Sequence, residues 1–162
     1  MTKALGLALA LAVVLAGCGH QAGPIPDDAL LPLPQGLVVA GHDEGDCGNG
    51  GDYGCGRVFL VTGQGGAAQT AGMVVAHLEG AKGWRLARGL APGDAFAHGC
   101  RKGGEPCVRV EPVAEDLVLG GTGPWDARLL DAYGVNAADE RVLRERGVVV
   151  EFSDCCGDGF GP

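Results

Sequence analysis

Four stretches of apolar or alternating residues predict β-strands in the last two-thirds of the chain. They span residues 57–62, 84–88, 108–113 and 148–152. The first is the clearest, because its apolar and β-branched residues are bounded by Gly56 and Gly63. Pro112 indicates that the third strand ends near that residue, since proline cannot donate a ladder hydrogen bond.

Residues with helical spacing lie between these strands. In the first helix the apolar positions follow one face, at Ala71, Val74, Val75 and Leu78. Thr70 comes just before them and is the predicted N-cap. A later helix is predicted from Asn136, a strong N-cap, to Gly147, which ends it. Its Val142 and Leu143 are expected to face inward.

The order of these elements predicts an α+β fold. Strand–helix–strand occurs twice, which is typical of the ferredoxin-like βαββαβ arrangement: a two-layer sandwich of a four-stranded antiparallel sheet and two helices on one face. The alternative is another small α+β sandwich with an extra hairpin in the Gly-rich part. In the ferredoxin-like order the first and last strands are antiparallel neighbours. The expected core consists of Val58, Leu60, Val74, Leu78, Trp84, Leu86, Val108, Val110, Val142 and Val149.

The first 17 residues have the pattern of a signal peptide. Lys3 is followed by an unbroken small and aliphatic run over residues 4–16, which is too short for a membrane-spanning helix of ~20 residues. The run ends in Leu15-Ala16-Gly17-Cys18. This segment resembles the bacterial lipoproteins, whose lipobox has the same form. The resemblance implies diacylglycerol on the Cys18 sulfur, cleavage before Cys18, and anchoring to the outer face of the bacterial cytoplasmic membrane.

Residues 18–36 are expected to form a lipidated, proline-rich tether, and residues 37–162 a single α+β domain. Four prolines, at positions 24, 26, 32 and 34, forbid a helix in the tether and favour an extended chain. As polyproline II it would reach roughly 50 Å. Alternatively, Leu30, Leu31 and Leu33 dock on the domain.

The remaining cysteines predict disulfides. Without Cys18 they are six in number, namely Cys47, Cys55, Cys100, Cys107, Cys155 and Cys156. An even number outside the cytoplasm is typical of a disulfide framework. The ferredoxin-like order predicts a local Cys100–Cys107 bridge at one end of the sheet. It places Cys47 and Cys55 with Cys155 and Cys156 at the other end. There the two couples are cross-linked or each couple pairs within itself; cross-links are favoured because a bridge between adjacent cysteines needs a strained geometry.

A metal site is the competing interpretation of the cysteine end. Thiolates with an imidazole suit zinc or copper(I), and an acidic Gly-rich loop suggests a weak calcium site. The candidate ligands beside the cysteines are His42, Asp43, Asp46 and Asp52. The chain has neither a C-x-x-C pair nor the spacing of an EF-hand, so a solvated acidic loop and no resident cofactor are expected.

Three further features give little indication of a ligand site or of catalysis. Residues 63–68 fit G-x-G-x-x-A, but Arg88 stands where a dinucleotide site needs an acid. Ser153 is the only serine in the chain, and no G-x-S-x-G surrounds it. His98 lies in a Gly-rich stretch, where a catalytic role is not expected.

Composition limits the classes of partner that the protein is expected to bind. Among 162 residues, 20 are acidic and 12 basic, so the net charge of −8 argues against binding nucleic acid. Usage of Ala, Gly, Val and Arg with little Ser, Ile or Lys resembles small lipoproteins from GC-rich bacteria. The expected function is an anchored extracytoplasmic module that binds or scaffolds without catalysis, with the membrane and an envelope protein or ligand as partners. The alternative is a metal-binding or enzymatic domain that uses the Cys/His/Asp end of the sheet.

Overall fold

The described part of the chain forms one antiparallel sheet with helices packed on it. The computed structural model describes residues 25, 27–43, 56–89, 96–101, 106–113 and 127–153. Within these ranges the strands are β1 Leu37–His42, β2 Gly56–Gly63, β3 Ala87–Arg88, β4 Ala97–Cys100, β5 Cys107–Pro112 and β6 Val148–Ser153. The helices are α1 Ala67–Ala81, α2 Ala127–Ala132 and α3 Ala137–Arg146, and a 3-10 turn spans Asp27–Ala29. The α+β class is therefore confirmed.

The strand order is β1-β2-β6-β5-β4-β3, and all neighbours are antiparallel. In the register, β6 lies between β2 and β5, because Ser153 faces both Gly56 and Cys107. The predicted antiparallel contact between the first and last of the predicted strands is confirmed as β2 against β6. Since β2 and β5 both flank β6, they run parallel to each other and begin at the same end of the sheet.

The ferredoxin-like order is not confirmed. That order places the first and third predicted strands side by side and the last strand at an edge, whereas here β6 separates β2 from β5. The physical reason is that β6 is buried on both faces at Val148, Val149 and Val150. A continuous apolar run is typical of a central strand rather than an edge strand. Two further strands extend the sheet to six within the described residues. The sequence pattern did not predict β1, whereas β4 lies in the Gly-rich part, where the alternative fold placed an extra hairpin.

Helices cover both faces of the sheet, so the two-layer arrangement is wrong. On β2, Phe59 and Val61 belong to the core cluster that includes α1. Leu60 lies in a second cluster with Val135, from the connection between α2 and α3, and with Leu143 of α3. Because neighbouring residues of a strand point to opposite faces, α1 lies on one side of the sheet and α3 on the other.

Of the two predicted helix caps, one is confirmed and one is wrong, and the predicted core is mostly confirmed. The Asn136 side chain caps α3 by accepting from the backbone N–H groups of Ala138 and Asp139, as expected. Thr70 is not an N-cap, because α1 already begins at Ala67 and the Thr70 hydroxyl donates to the Gly66 carbonyl within the helix. Most of the expected core is buried or partly buried.

Two expectations about particular residues in the core and strands are wrong. Val142 is 38% exposed, whereas its neighbour Leu143 is fully buried and carries the inward face of α3. The second predicted strand shrinks to Ala87–Arg88, and Trp84 before it lies in the core outside any strand.

Candidate functional site

The segment before β1 is docked on the domain from Ile25 onward. Ile25, Ala29 and Leu30 are buried in the same cluster as α1, and Leu33 packs against that cluster from its rim. Burial of a leucine-sized side chain stabilises a fold by about 1.5–3 kcal/mol. Of the two alternatives for this segment, the structure therefore shows docking, at least for residues 25 and 27–36.

Side chains of α1 and the residue that follows it hold the backbone of this segment. The Lys82 ammonium donates to the carbonyl oxygens of Asp28, at 2.7 Å, and of Leu31, at 2.5 Å. His77 Nε2 lies 2.8 Å from the Leu30 carbonyl oxygen and donates to it in the tautomer protonated at Nε2. These bonds satisfy carbonyl groups that the short 3-10 turn leaves unpaired, so the segment is fixed by polar as well as apolar contacts.

Arg57, near the start of β2, binds the beginning of the segment. Its guanidinium donates to the Ile25 carbonyl oxygen at 3.1 Å and forms an ion pair with Asp27. The same group lies 5.0 Å from the centre of the Phe59 ring. The Arg57 side chain is only 14% exposed, so these contacts hold a largely buried cation between the segment and the sheet.

The docked segment and the edge strand form an open groove. It measures about 580 Å³, and its walls are mostly apolar, with two carboxylates from the 3-10 turn. The lining residues are Asp27, Asp28, Leu31, Pro32, Leu33, Leu37 and Val39. Beside it, Val38 is 62% exposed. This surface exists only because the segment is docked, since most of its walls belong to that segment.

The strand ends that adjoin the predicted disulfide cysteines along the chain all lie at one end of the sheet. Gly56 and Cys107 both face Ser153 in the register, and β1 reaches the same end at His42. Cys55 directly precedes Gly56, and Cys155 follows Ser153 by two residues. The predicted placement of Cys100 and Cys107 at the opposite end is therefore wrong, because β2 and β5 run parallel to each other.

A disulfide joins Cys100 to Cys107, the local pair expected from the sequence. The two residues face each other directly across β4 and β5, and Cys107 is buried. The bridge thus joins the two strands of the β4–β5 hairpin directly beside their connecting loop. The other candidates, Cys47, Cys55, Cys155 and Cys156, lie outside the described residues.

The candidate metal ligands are only partly described. His42 stacks on Phe59 with ring centres 6.3 Å apart, and the Asp43 backbone N–H donates to the Val58 carbonyl. Asp46 and Asp52 lie outside the described residues. Within the described ranges, no group of three or more His, Cys, Asp or Glu side chains is arranged to hold a metal ion.

A row of polar residues crosses the sheet on the face away from α1, and sequence reasoning missed it. His98, Arg109 and Glu151 are direct neighbours across β4, β5 and β6. Arg109 also forms an ion pair with Glu111, whose side chain is only 9% exposed. Opposite charges at neighbouring positions compensate one another, which is required for a carboxylate as buried as that of Glu111. The only signal in the sequence is the alternation of β5.

The glycine-rich loop after β2 does not form a dinucleotide site. Gly66 is the N-cap of α1 without a side-chain cap, and the sheet is antiparallel over the described strands. Arg88, at the position where such a site needs an acid, pairs with Glu79 at 2.9 Å. The loop is therefore a tight connection between β2 and α1.

Comparisons of the chain with protein-family models, with curated proteins and with solved structures found no match. Among the described residues, no helix is both long and apolar enough to cross a membrane.

Proposed function

We propose that the protein is an extracytoplasmic lipoprotein, a binding or envelope-scaffold module without catalysis that is anchored through Cys18. The observation that carries this proposal is the order of Lys3, the apolar run and Leu15-Ala16-Gly17-Cys18. A lipid-modified cysteine with two or three acyl chains gives stable anchoring, whereas a single chain gives marginal binding. Ile25, only seven residues after Cys18, is already buried in the core, which supports an anchor placed close to the domain.

Changing Cys18 to alanine tests this function. The variant lacks the sulfur that would carry diacylglycerol, so it should remain unprocessed or leave the membrane fraction. Gly17→Ala is the matched control, because alanine keeps the lipobox form and should leave processing and fractionation unchanged. The proposal is contradicted if Cys18→Ala is processed and fractionates with membranes as the unchanged protein does.

A second candidate function is a metal-binding or enzymatic domain at the cysteine end. The observation that favours it is the convergence of His42 and Asp43 with the ends of β2 and β6, which adjoin Cys55 and Cys155 along the chain. Metal and free-thiol analysis of the purified domain separates the two functions. Three disulfides without metal support the first function, and four free thiols with stoichiometric metal support the second.

A further inference from the structure

We propose that the end of the sheet that carries Gly56, Cys107 and Ser153, called the cysteine end, is held facing the lipid bilayer. The opposite end, with the β2–α1 loop, then points away from the membrane. The proposal rests on the lipid anchor at Cys18 proposed above. It adds an orientation, and it identifies the bilayer surface as the partner of one particular end of the domain.

The length of the anchoring connection is the first step. Ile25 is fixed in the core, so only the seven peptide units from Cys18 to Ile25 separate the anchor from the folded domain. At ~3.3–3.6 Å per residue, the connection spans at most about 25 Å when fully extended. As a flexible chain it would average roughly 15 Å. An undocked segment would release the chain as far as Leu37 and more than double this reach.

The second step is the place where the chain joins the domain. The Ile25 carbonyl is bound by Arg57, the second residue of β2, and Arg57 faces Phe152 near the end of β6. Lys82, which holds the next residues of the segment, directly follows α1. Because α1 returns from the far end of β2 to its start, both contacts lie at the end of the sheet that carries Gly56 and Ser153.

The third step compares the two lengths. β2 contains eight residues and is therefore roughly 25 Å long. The opposite end of the sheet, at Gly63 and Val148, lies that far from the anchored end. For this opposite end to touch the bilayer, the connection would have to be fully stretched along the side of the domain. Any shorter span of the connection instead brings the cysteine end, where Ile25 is held, closer to the surface than the opposite end.

The proposed orientation leaves a defined surface for other partners. The exposed Gln64 and Gly66 of the β2–α1 loop then face away from the membrane, toward the envelope. The segments with Cys47, Cys55, Cys155 and Cys156 attach to the end that faces the lipid headgroups. A soluble envelope partner should thus meet the far end and the sides of the domain before it meets the cysteine end.

Distance measurements on the lipidated full chain in phosphatidylcholine vesicles test the orientation. A fluorescent amino acid is placed either at Arg101, which is exposed at the cysteine end, or at Gln64, which is exposed at the far end. Energy transfer to headgroup-labelled lipid should place the label at 101 closer to the bilayer than the label at 64, by roughly 20 Å, the length of a strand.

A flexible Gly/Ser insertion of about 20 residues between Ala22 and Gly23 is the matched variant, because it lengthens the connection without touching the docked segment. It should move the domain outward and shrink the difference between the labels toward zero. Equal distances in the unextended protein, or a closer label at 64, would overturn the orientation while leaving the anchor intact. Protein that fails to stay on the vesicles would instead overturn the anchor, and the orientation with it.

Discussion

Replacing Leu30 by alanine is expected to lower the free energy of unfolding by about 2–5 kcal/mol, the range for a buried leucine that leaves a cavity. The Leu30 side chain is fully buried in the cluster formed by α1 and one face of the sheet. Its carbonyl is bound by His77, so the backbone cannot easily shift to fill the space. Denaturant unfolding of a soluble form that begins at Gly19 measures the change.

Leu31 provides the control for this prediction. It is the same residue type at the next position, but it is only partly buried and lines the open groove. Leu31→Ala should cost about 1 kcal/mol or less, close to the centre of the range for ordinary substitutions. Equal losses for the two variants, or a loss below about 0.5 kcal/mol for Leu30→Ala, would show that the segment is not docked in solution.

Removing the cross-links expected at the cysteine end should have the second large effect. Gly56, which directly follows Cys55, faces Ser153, which comes two residues before Cys155. A bridge between these two cysteines closes a loop of about 100 residues, which is nominally ~4.7 kcal/mol in the chain-entropy model. The double change Cys155→Ser and Cys156→Ser should therefore lower the free energy of unfolding by several kcal/mol. Non-reducing digestion should join the peptides with Cys47 and Cys55 to the peptide with Cys155 and Cys156.

The Cys100–Cys107 bridge is the internal reference for that experiment. This bridge closes only a short loop. Replacing both of its cysteines by serine should therefore lower the free energy of unfolding by about 2.5 kcal/mol in the chain-entropy model. Finding Cys100 or Cys107 joined to any other cysteine would contradict the structure. A closed Cys47–Cys55 loop with a Cys155–Cys156 bridge would leave the fold intact. It would remove the long-range cross-link and make the vicinal pair the best candidate for a functional site.

Local features of the fold could be predicted from the sequence, but the order of the strands could not. Three features that depend on residues close by in the sequence are predicted correctly. They are the strand at 57–62, the cap at Asn136 and the inward position of Leu78. The place of β6 depends on pairing with strands far away along the chain. The run of Val148, Val149 and Val150 does carry a signal for a central strand, because it has no polar alternation.

The candidate site shows the same division. Nothing local distinguishes Leu30 from Leu31. The Leu30 side chain is buried because it packs in the cluster of α1 and the sheet, most of whose residues come about thirty or more positions later in the chain. The polar row of His98, Arg109 and Glu151 also depends on register across three strands. By contrast, the lipobox resemblance rests on four consecutive residues, Leu15-Ala16-Gly17-Cys18, so the sequence alone suffices to propose the anchor.

The mass of the N-terminal fragment from membrane-extracted protein tests the central claim most directly. After reduction and tryptic digestion, the fragment should run from Cys18 to Arg57, since no lysine or arginine lies between them. It should carry the added mass of diacylglycerol on Cys18, and of a further acyl chain if the new amino group is acylated. An unmodified fragment, or one that still contains Leu15-Ala16-Gly17 before Cys18, would contradict the lipid anchor.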